Sequence, residues 1–239
     1  MTRKILKSED SVIVYDDSLV SQFTEQFFEP AYWAGAHTSS GKAGGRGAVI
    51  FIVHEGQDWV LRHYYRGGLP GKLLHDQFLW TGAAATRSLR EWELLQEMRV
   101  EDLPAPIPVA ARCRRRGIIY TADLITVRLP GVLPLSTRLA QGDVEEAGWR
   151  AVGACIARFH LAGFCHADLN AHNLQLDDNN SVYLLDWDRG QRRLPGRWRE
   201  SNVSRLQRSL HKISDNGMGR YDPDGWAALI EAYKENLAG

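Results

Sequence analysis

Two stretches of the sequence crowd together side chains that could do chemistry. HADLNAHN (166–173) places two histidines, one aspartate and two asparagines within eight residues, directly after a short apolar segment. YLLDWD (183–188) ends a second apolar run with two aspartates. Carboxylate and amide oxygens are ligands that Mg²⁺ prefers, and a carboxylate beside a hydroxyl group can orient it or accept its proton. The two stretches could therefore belong to one site.

Three interpretations of HADLNAHN are open from its residue types. A zinc site made by His166, Asp168 and His172 is disfavoured, because histidines six residues apart share neither a helix face nor a strand face. A plain turn is typical of Asp and Asn, with Leu169 and Leu174 as anchors. The third interpretation is phosphoryl transfer.

The spacing of the aspartates and the asparagine favours phosphoryl transfer. In kinases a base aspartate stands about five residues before a metal-binding asparagine, and a second metal-binding aspartate follows a later strand. Asp168 precedes Asn173 by five residues, and Asp186 directly follows the apolar VYLL. With a glycine-rich segment far upstream, the pattern predicts a phosphotransferase.

The first half of the chain reads as strands with one helix. GKAGGRG (41–47) is a glycine-rich turn that leads into AVIFIV (48–53), and WVLRHYY (59–65) follows after a short turn, which predicts a hairpin. Helical spacing of Leu89, Trp92, Leu95 and Met98 predicts an amphipathic helix over 86–99. A proline-rich connector (103–110) and a strand within 117–131 follow.

The second half reads as helices around two short strands. Asp143, with Glu146 three residues later, predicts the start of a helix that Gly163 ends. LQL (174–176) and VYLLD (182–186) predict short strands. Two further helices are predicted near 202–213 and 223–237, the last one starting at Asp222-Pro223.

Composition excludes some classes of function. Lys plus Arg and Asp plus Glu both number 29, so the net charge is zero, which argues against a general nucleic-acid binder. Three cysteines without CxxC spacing argue against a disulfide framework or a zinc knuckle. The N-terminus has no signal-peptide pattern and the longest apolar run is far too short to span a bilayer, so a cytoplasmic protein, soluble or peripheral, is expected.

Two arginine clusters stand out against this balanced background. They are either solvated loop faces or surfaces for an anionic substrate or anionic lipid head groups. Their members are Arg112, Arg114, Arg115 and Arg116 in one group, and Arg192, Arg193, Arg197 and Arg199 in the other.

The order of these segments resembles the lipopolysaccharide kinase family of the protein-kinase-like superfamily, and within it the 3-deoxy-D-manno-octulosonic acid (Kdo) kinases. The similar segments are GRGAVIF, WVLRHYYRGGLPGKLL, REWELL, HADLNAHN and LLDWDRG, and the likeness runs from about residue 30 to the end. HADLNAHN is shared in type with many kinases, whereas LRHYYRGGLPG joined to LLDWDRG is more particular. The resemblance implies a bilobal α+β fold forming one kinase-like domain, with a β-rich N-lobe (1–125) and a helical C-lobe (126–239).

The resemblance also implies roles for single residues. Asp168 would be the catalytic residue that orients or deprotonates the acceptor hydroxyl, and Asn173 and Asp186 would hold Mg²⁺. Arg62, with Glu91 as its partner, would grip the phosphates of ATP, with Lys72 as a rival. Four glycines would let backbone amides approach the phosphates, and the backbone around Asp123 would form the hinge that contacts adenine. Those glycines are Gly41, Gly44, Gly45 and Gly47.

The sequence departs from the kinase pattern in two places, and the second departure bears on the class of acceptor. Arg62 stands where a lysine is usual, and Arg can still pair a phosphate with two hydrogen bonds. The DWD motif lacks a following glycine, and no long activation segment follows it, which favours a small or lipid-borne acceptor over a peptide.

His166 is expected to support the loop, Asp188 either binds a second metal or pairs with Arg189, and His172 is left without an assigned role.

The resemblance implies transfer of the γ-phosphate of ATP to the 4-hydroxyl of a Kdo residue on a lipid A precursor. The enzyme would work peripherally at the cytoplasmic face of the inner membrane of a Gram-negative bacterium, through basic residues and Trp198, without nucleic acid or an obligate protein partner. Two alternatives stay open. One is a kinase of another acceptor, such as a core heptose, and the other is a nucleotide-binding pseudokinase.

Overall fold

The computed structural model describes residues 3–33, 39–41, 49–66 and 76–238. The chain divides into two compact units, Met1–Gln96 with Pro106–Arg128, and Glu97–Ala105 with Leu129–Gly239. The expected boundary at 125/126 therefore falls three residues early, because the central strand of the first unit runs on to Val127. In addition, a segment of nine residues, 97–105, leaves the first unit and belongs to the second.

The described part of the first unit holds an antiparallel sheet of eight strands. The order is β1-β2-β7-β8-β5-β4-β3, with β6 paired to β8. The strands are β1 (Arg3–Lys7), β2 (Ser11–Asp16), β3 (Ser39–Gly41), β4 (Val49–His54), β5 (Gln57–His63), β6 (Phe78–Leu79), β7 (Pro108–Arg116) and β8 (Ile119–Val127). The predicted hairpin is confirmed, since β4 pairs with β5 and Val49 lies opposite Arg62.

Alternation along β5 gives the sheet two different faces. On one face Trp59 and Leu61 are buried with Ile125 of β8, under two short 3₁₀ helices, Glu25–Phe28 and Pro30–Trp33. We call this the aromatic face, because Phe27, Phe28 and Trp33 cover it. On the other face lie Val60 and Arg62, with Arg62 opposite Leu124 of β8.

Helix α1 (Arg87–Val100) contacts the face that carries Arg62. Its predicted apolar stripe, Leu89, Trp92, Leu95 and Met98, is buried, so the helix predicted over 86–99 is confirmed. Glu91, the residue directly before Trp92 in the helix, is buried as well. A buried carboxylate needs a charged or hydrogen-bonding partner, and Arg62 supplies it.

The described part of the second unit is mostly helical. Its helices are α2 (Leu135–Gln141), α3 (Glu146–Leu161), α4 (Trp198–Asp215) and α5 (Pro223–Ala238). Its short strands are β9 (Leu133–Pro134), β10 (Phe164–Cys165), β11 (Leu174–Leu176), β12 (Val182–Leu184) and β13 (Gln191–Arg192). They form the sheets β9-β11-β12 and β10-β13, and the predicted pair of short strands and the last two predicted helices are confirmed.

The start of α3 differs from the prediction. Glu145 is the N-cap, without a side-chain capping bond, and Asp143 instead accepts a hydrogen bond from Arg138 (3.0 Å). The Asp143 carboxylate therefore binds the buried Arg138 guanidinium and does not cap the helix terminus. The end of the helix follows the prediction, since Gly163 has φ +83°, a left-handed conformation that glycine adopts readily.

Helices α3 and α5 approach each other through glycine positions. A Cβ atom at Gly153 of α3 would lie 2.2 Å from the Leu229 carbonyl oxygen of α5. A Cβ atom at Gly225 of α5 would lie 2.2 Å from Trp149 Nε1 of α3. The absence of side chains at both positions therefore allows the helix backbones to pack closely. Among the described residues, no helix is both long enough and apolar enough to cross a bilayer.

Candidate active site

The loop of residues 166–173, called the catalytic loop after its predicted role, runs between β10 and β11 and is held by its own hydrogen bonds. The Asp168 N–H donates to His166 Nδ1 (3.2 Å). The Asp168 carbonyl accepts from Asn173 Nδ2 (3.0 Å) and from Asn170 Nδ2 (2.9 Å). The backbone at Asp168 is thus fixed, while its side chain is 67% exposed and its carboxylate contacts Asn170 Nδ2 (3.2 Å) and Arg205 Nη1 (3.3 Å).

Strand pairing brings the backbone of Asp186 close to that of Asn173. Strands β11 and β12 are antiparallel, and the Leu185 N–H donates to the Asn173 carbonyl (2.9 Å) just beyond their last paired residues. Asp186 is the next residue, exposed, with φ +64°. Left-handed backbone is uncommon outside glycine, although Asp tolerates it, and it concentrates at functional sites.

His166 ties the loop to the end of β12. Its Nε2–H donates to the Leu185 carbonyl (2.8 Å), while its Nδ1 accepts the Asp168 N–H. The ring packs edge-on against buried Trp187, with centroids 4.7 Å apart. Burial lowers the pKa of His166 below its ordinary value, which keeps the neutral form that these two bonds require. The expected supporting role of His166 is therefore what its contacts show.

The oxygen atoms of Asn173 and Asp186 suit a hard cation. Since Asn173 uses Nδ2 on the Asp168 carbonyl, its Oδ1 is directed elsewhere, and among the described residues nothing donates to it. The Asp186 carboxylate is exposed at the same end of the hairpin. Within the described ranges no three His, Cys, Asp or Glu side chains cluster as metal ligands. Mg²⁺ fits this donor set, because it commonly takes one or two protein oxygens and completes its shell with phosphates and water.

In the first unit the expected pairing of Arg62 with Glu91 is present. Arg62 Nη2 contacts Glu91 Oε2, and the Tyr64 hydroxyl donates to the same carboxylate oxygen (2.5 Å). Glu91 is 3% exposed, whereas the Arg62 side chain is 26% exposed. The buried carboxylate therefore anchors a guanidinium that is still accessible. Tyr64, two residues beyond Arg62 on the same side of the chain, is a partner that the sequence reasoning missed.

The glycine-rich segment and Lys72 are only partly described. Gly41 ends β3, where it pairs with Val49. Gly44, Gly45, Gly47 and Lys72 lie outside the described residues. The choice between Arg62 and Lys72 as the phosphate-gripping residue stays a prediction.

The structure contradicts the hinge expected around Asp123. Asp123 lies inside β8, paired with His63 of β5 on one side and with Arg112 of β7 on the other. Its side chain is on the aromatic face, opposite to Arg62, and its carboxylate binds His63 Nδ1 (2.6 Å) and Arg112 Nε (2.9 Å). An interior strand residue with both neighbours paired cannot serve as a hinge. Asp123 instead forms part of a buried ionic cluster beside a cavity of about 480 Å³.

The same cluster changes the interpretation of the first arginine group. Arg112 is buried and contacts Asp123 and Glu29, and Arg114 contacts Glu25 (3.0 Å) and Glu29 (3.4 Å). These two arginines neutralise neighbouring carboxylates, and the pKa of Glu29 is lowered mainly by its hydrogen bond from Arg112. Their charge is therefore not available to an anionic substrate.

In the second arginine group, two members contact other parts of the protein, and two are exposed. Arg192 contacts Glu101 (2.6 Å), and Arg199 donates to the His160 carbonyl (2.7 Å). Arg193 and Arg197 are exposed. Trp198 is engaged internally: its Nε1–H donates to the Leu194 carbonyl (2.7 Å) and its ring packs against His160.

The sequence of this chain is similar to those of known proteins. A model of the lipopolysaccharide kinase (Kdo/WaaP) family matches residues 31–233. The chain belongs to this family.

Two relatives of the chain are both called 3-deoxy-D-manno-octulosonic acid kinase. The protein of Stenotrophomonas maltophilia strain R551-3 is 44% identical over 202 residues, 84% of this chain and 80% of that protein. The protein of Photobacterium damsela subsp. piscicida is 36% identical over 234 residues, 98% of each chain. The solved structure of the bifunctional kinase-methyltransferase WbdD has a TM-score of 0.43 and 17% identity, covering 86% of this chain and 45% of that chain.

Membership in the lipopolysaccharide kinase family confirms the predicted class of enzyme and fold. The family is protein-kinase-like, and the chain is an α+β kinase whose β-rich part precedes its helical part. The motifs HADLNAHN and LLDWDRG both lie inside the matched range.

A hydrogen-bonded chain behind the catalytic loop escaped sequence reasoning. The Tyr233 hydroxyl donates to His160 Nδ1 (2.8 Å), and His160 Nε2 donates to Asn202 Oδ1 (3.4 Å). Asn202 Nδ2 then donates to the His166 carbonyl (2.9 Å). Helices α5, α3 and α4 thus support the loop through three buried side chains, and no spacing rule connects residues so distant in sequence.

Proposed function

We propose that this protein transfers the γ-phosphoryl group of ATP to the 4-hydroxyl of a Kdo residue on a lipid A precursor, in the assembly of lipopolysaccharide. The observation that supports the proposal is that Asn173 bonds to the Asp168 carbonyl and to the N–H of Leu185, the residue before Asp186, in a chain of the lipopolysaccharide kinase family. The names of the relatives support Kdo as the acceptor.

Asp168 is the residue that acts on the acceptor. The acceptor oxygen forms a bond to the γ-phosphorus, the bond from that phosphorus to the β,γ-bridging oxygen breaks, and its electron pair leaves with ADP. The proton of the acceptor hydroxyl passes to the Asp168 carboxylate. Because the transition state is loose, positioning the hydroxyl contributes as much as accepting its proton.

The remaining site residues act on ATP. Asn173 and Asp186 would hold Mg²⁺, which supplies neutralisation of phosphate charge when it is bound. Arg62 would pair with the phosphates, kept in place by Glu91 and Tyr64. Gly41, Gly44, Gly45 and Gly47 would allow backbone amides to approach the phosphate oxygens.

The direct test is incubation with ATP, Mg²⁺ and a lipid A precursor that carries one Kdo residue. We expect the lipid to gain one phosphate by mass, and fragmentation with NMR to place it on the 4-hydroxyl. Phosphate on a core heptose acceptor, with the Kdo lipid unchanged, would favour the first alternative. ATP binding without transfer to any acceptor of the panel would favour a pseudokinase.

We also propose that the enzyme contacts anionic membrane lipids through the loop that follows β13. Arg193, Leu194 and Arg197 are exposed there, and Leu194 is 88% exposed. An exposed leucine between arginines suits an interface where the charge meets lipid head groups and the apolar side chain enters among them. Leu194 replaces Trp198 as the apolar residue of this contact, because Trp198 is held by internal bonds.

Vesicle sedimentation tests this contact. With vesicles rich in anionic phospholipid, we expect Arg193→Glu with Arg197→Glu to abolish binding and Leu194→Ser to weaken it several-fold. The exposed Arg220 provides the control, since Arg220→Glu makes a charge change away from the loop and should leave binding unchanged. Wild-type binding retained by the double variant would contradict the proposal.

A further inference from the structure

One side of α4 faces the catalytic loop through three contacts. Asn202 donates to the His166 carbonyl, Arg205 Nη1 lies 3.3 Å from Asp168 Oδ1, and the Ala171 N–H donates to Ser209 Oγ (3.3 Å). Residues three, four or seven apart share a helix side, so these contacts set the rotation of α4 against the loop. The rotation places Arg205 beside the proposed base.

Stability does not explain the position of Arg205. Its side chain is 47% exposed and that of Asp168 is 67% exposed, and an ion pair this exposed contributes little to folding. The contact uses one nitrogen of a guanidinium that has five N–H donors. Among the described residues Arg205 has no other side-chain partner, so most of its donors are open to a ligand bound at Asp168.

Two further cations continue the line of Arg205 along α4. Arg208 and Lys212 lie three and seven residues after Arg205, on the same side of the helix, and both are exposed. In the part of the chain that the structure describes, neither pairs with a carboxylate. Arg205 beside the base, followed by two cations that no described carboxylate compensates, suits an acceptor that carries negative charge near its reacting hydroxyl.

We propose that Arg205 binds the carboxylate of the acceptor sugar and thereby sets its hydroxyl against Asp168, and that Arg208 and Lys212 bind further anionic groups of the same acceptor. This inference rests on the proposed function and names the acceptor contacts of that site. Kdo is an acid whose carboxylate and 4-hydroxyl belong to one sugar ring. A planar guanidinium can therefore bind the carboxylate on one edge while it contacts Asp168 on another.

The first experiment compares Arg205→Gln with the wild type on two acceptors. One is the Kdo-bearing lipid A precursor, and the other is the same lipid with its sugar carboxyl converted to the methyl ester. We expect Arg205→Gln to raise the KM for the native acceptor about ten- to hundredfold, the loss typical of a charged hydrogen bond, with the KM for ATP unchanged. Arg205→Lys should restore part of the loss, since it keeps the charge but not the two-nitrogen geometry.

The methyl ester of the acceptor distinguishes two possible roles of Arg205, namely binding the acceptor and orienting Asp168. If Arg205 binds the carboxylate, esterification weakens the wild type as much as the substitution does, and the two changes together cost little more than either alone. If Arg205 only orients Asp168, the variant loses the same factor in kcat on both acceptors with no change in acceptor KM. That second result would overturn the inference.

Further variants extend the test to the rest of the line. Arg208→Gln with Lys212→Gln should raise the KM for the phosphorylated lipid acceptor several-fold, while a Kdo glycoside without phosphates is unaffected. Arg220→Gln is the control, because Arg220 is exposed outside α4 and should change neither constant. A wild type that phosphorylates no Kdo acceptor would refute the proposed function, whereas an active wild type with Arg205→Gln unchanged would refute only the role of Arg205.

Discussion

At the scale of single residues, the candidate site depends on which polar side-chain atoms are still accessible to a ligand. Asp168 is held through its backbone, and its carboxylate is exposed. Asn173 donates a hydrogen bond from Nδ2 to the Asp168 carbonyl, and its Oδ1 accepts none from the described residues. Asp123 shows the opposite case, since its bonded carboxylate is only 4% exposed. Exposure of the polar side chain therefore separates this candidate site aspartate from the structural one, although the residue type is the same.

Asp168→Ala should lower kcat about 10²–10⁴-fold, because the hydroxyl loses the group that orients it and takes its proton. The exposed carboxylate stabilises little, so the melting temperature should stay close to that of the wild type. Binding of a fluorescent ATP analogue with Mg²⁺ should also be retained. Asp215→Ala, at the exposed end of α4, is the control. A kcat within threefold of the wild type would remove Asp168 from the mechanism.

Asp186→Asn should raise the Mg²⁺ concentration needed for half-maximal activity by at least about tenfold, because an amide replaces a charged ligand. Asn also tolerates the left-handed backbone, so the fold should be kept. The measurement is kcat as a function of Mg²⁺ concentration at saturating ATP. An unchanged Mg²⁺ midpoint would exclude Asp186 as a ligand.

At the scale of elements, close helix packing and strand pairing position the loop. The pairing of β11 with β12 places Asn173 and Asp186 together, and α4 supports the loop from another side through Asn202. These elements are confirmed predictions, since LQL and VYLL are short apolar runs around a turn. Their rotation and contacts were not predictable, because they depend on side chains far apart in sequence.

Gly153→Ala should destabilise the protein by about 1–3 kcal/mol, the usual cost of forcing an atom into a packed interface. The new Cβ would meet the Leu229 carbonyl, which is backbone and cannot rotate away. Urea unfolding measures the change. Gly196→Ala is the matched control, since its nearest atoms are 3.7 Å away and its stability should stay within about 0.5 kcal/mol. Equal stability of the two variants would contradict the close approach of α3 and α5.

At the scale of the whole molecule, one buried histidine and one partly buried histidine make stability depend on pH in opposite senses. Burial lowers the pKa of His160 to about 4, and the nearby Arg199 acts in the same direction, against the hydrogen bond to Asn202. The hydrogen bond to Asp123 raises the pKa of His63. His160 therefore costs stability in acid, as pH falls from 6.5 towards 4, and His63 contributes stability that is lost as pH rises above 6.5.

Between pH 6.5 and pH 4.5, His160→Gln should lose less unfolding free energy than the wild type. In that range the unfolded chain binds a proton that the folded His160 does not, which costs up to about 1.4 kcal/mol per pH unit. Urea unfolding at several pH values measures the slopes. His211→Gln, at an exposed position of α4, is the control substitution. Parallel slopes for all three proteins would show that His160 does not titrate as its burial requires.

The thiols illustrate a property that only packing determines. Cys113, Cys155 and Cys165 are free and buried, and burial raises the pKa of each, to about 12 for Cys155. The cysteine spacing argued against a disulfide framework or a zinc knuckle, but it carried no information on whether the thiols react. Burial disfavours the thiolate, so these side chains act as small apolar groups.

The sequence by itself determined the chemistry and the order of the elements. Asp168, Asn173 and Asp186 could be predicted as site residues because local spacing is a property of the chain alone, and the family resemblance added Arg62 with Glu91 as its partner. Tertiary structure decided the rest: that Asp123 pairs with His63 and Arg112, that Arg205 reaches Asp168, and that Asn202 supports His166. These contacts join residues up to 60 positions apart, and only the packing of strands and helices brings such residues within hydrogen-bonding distance.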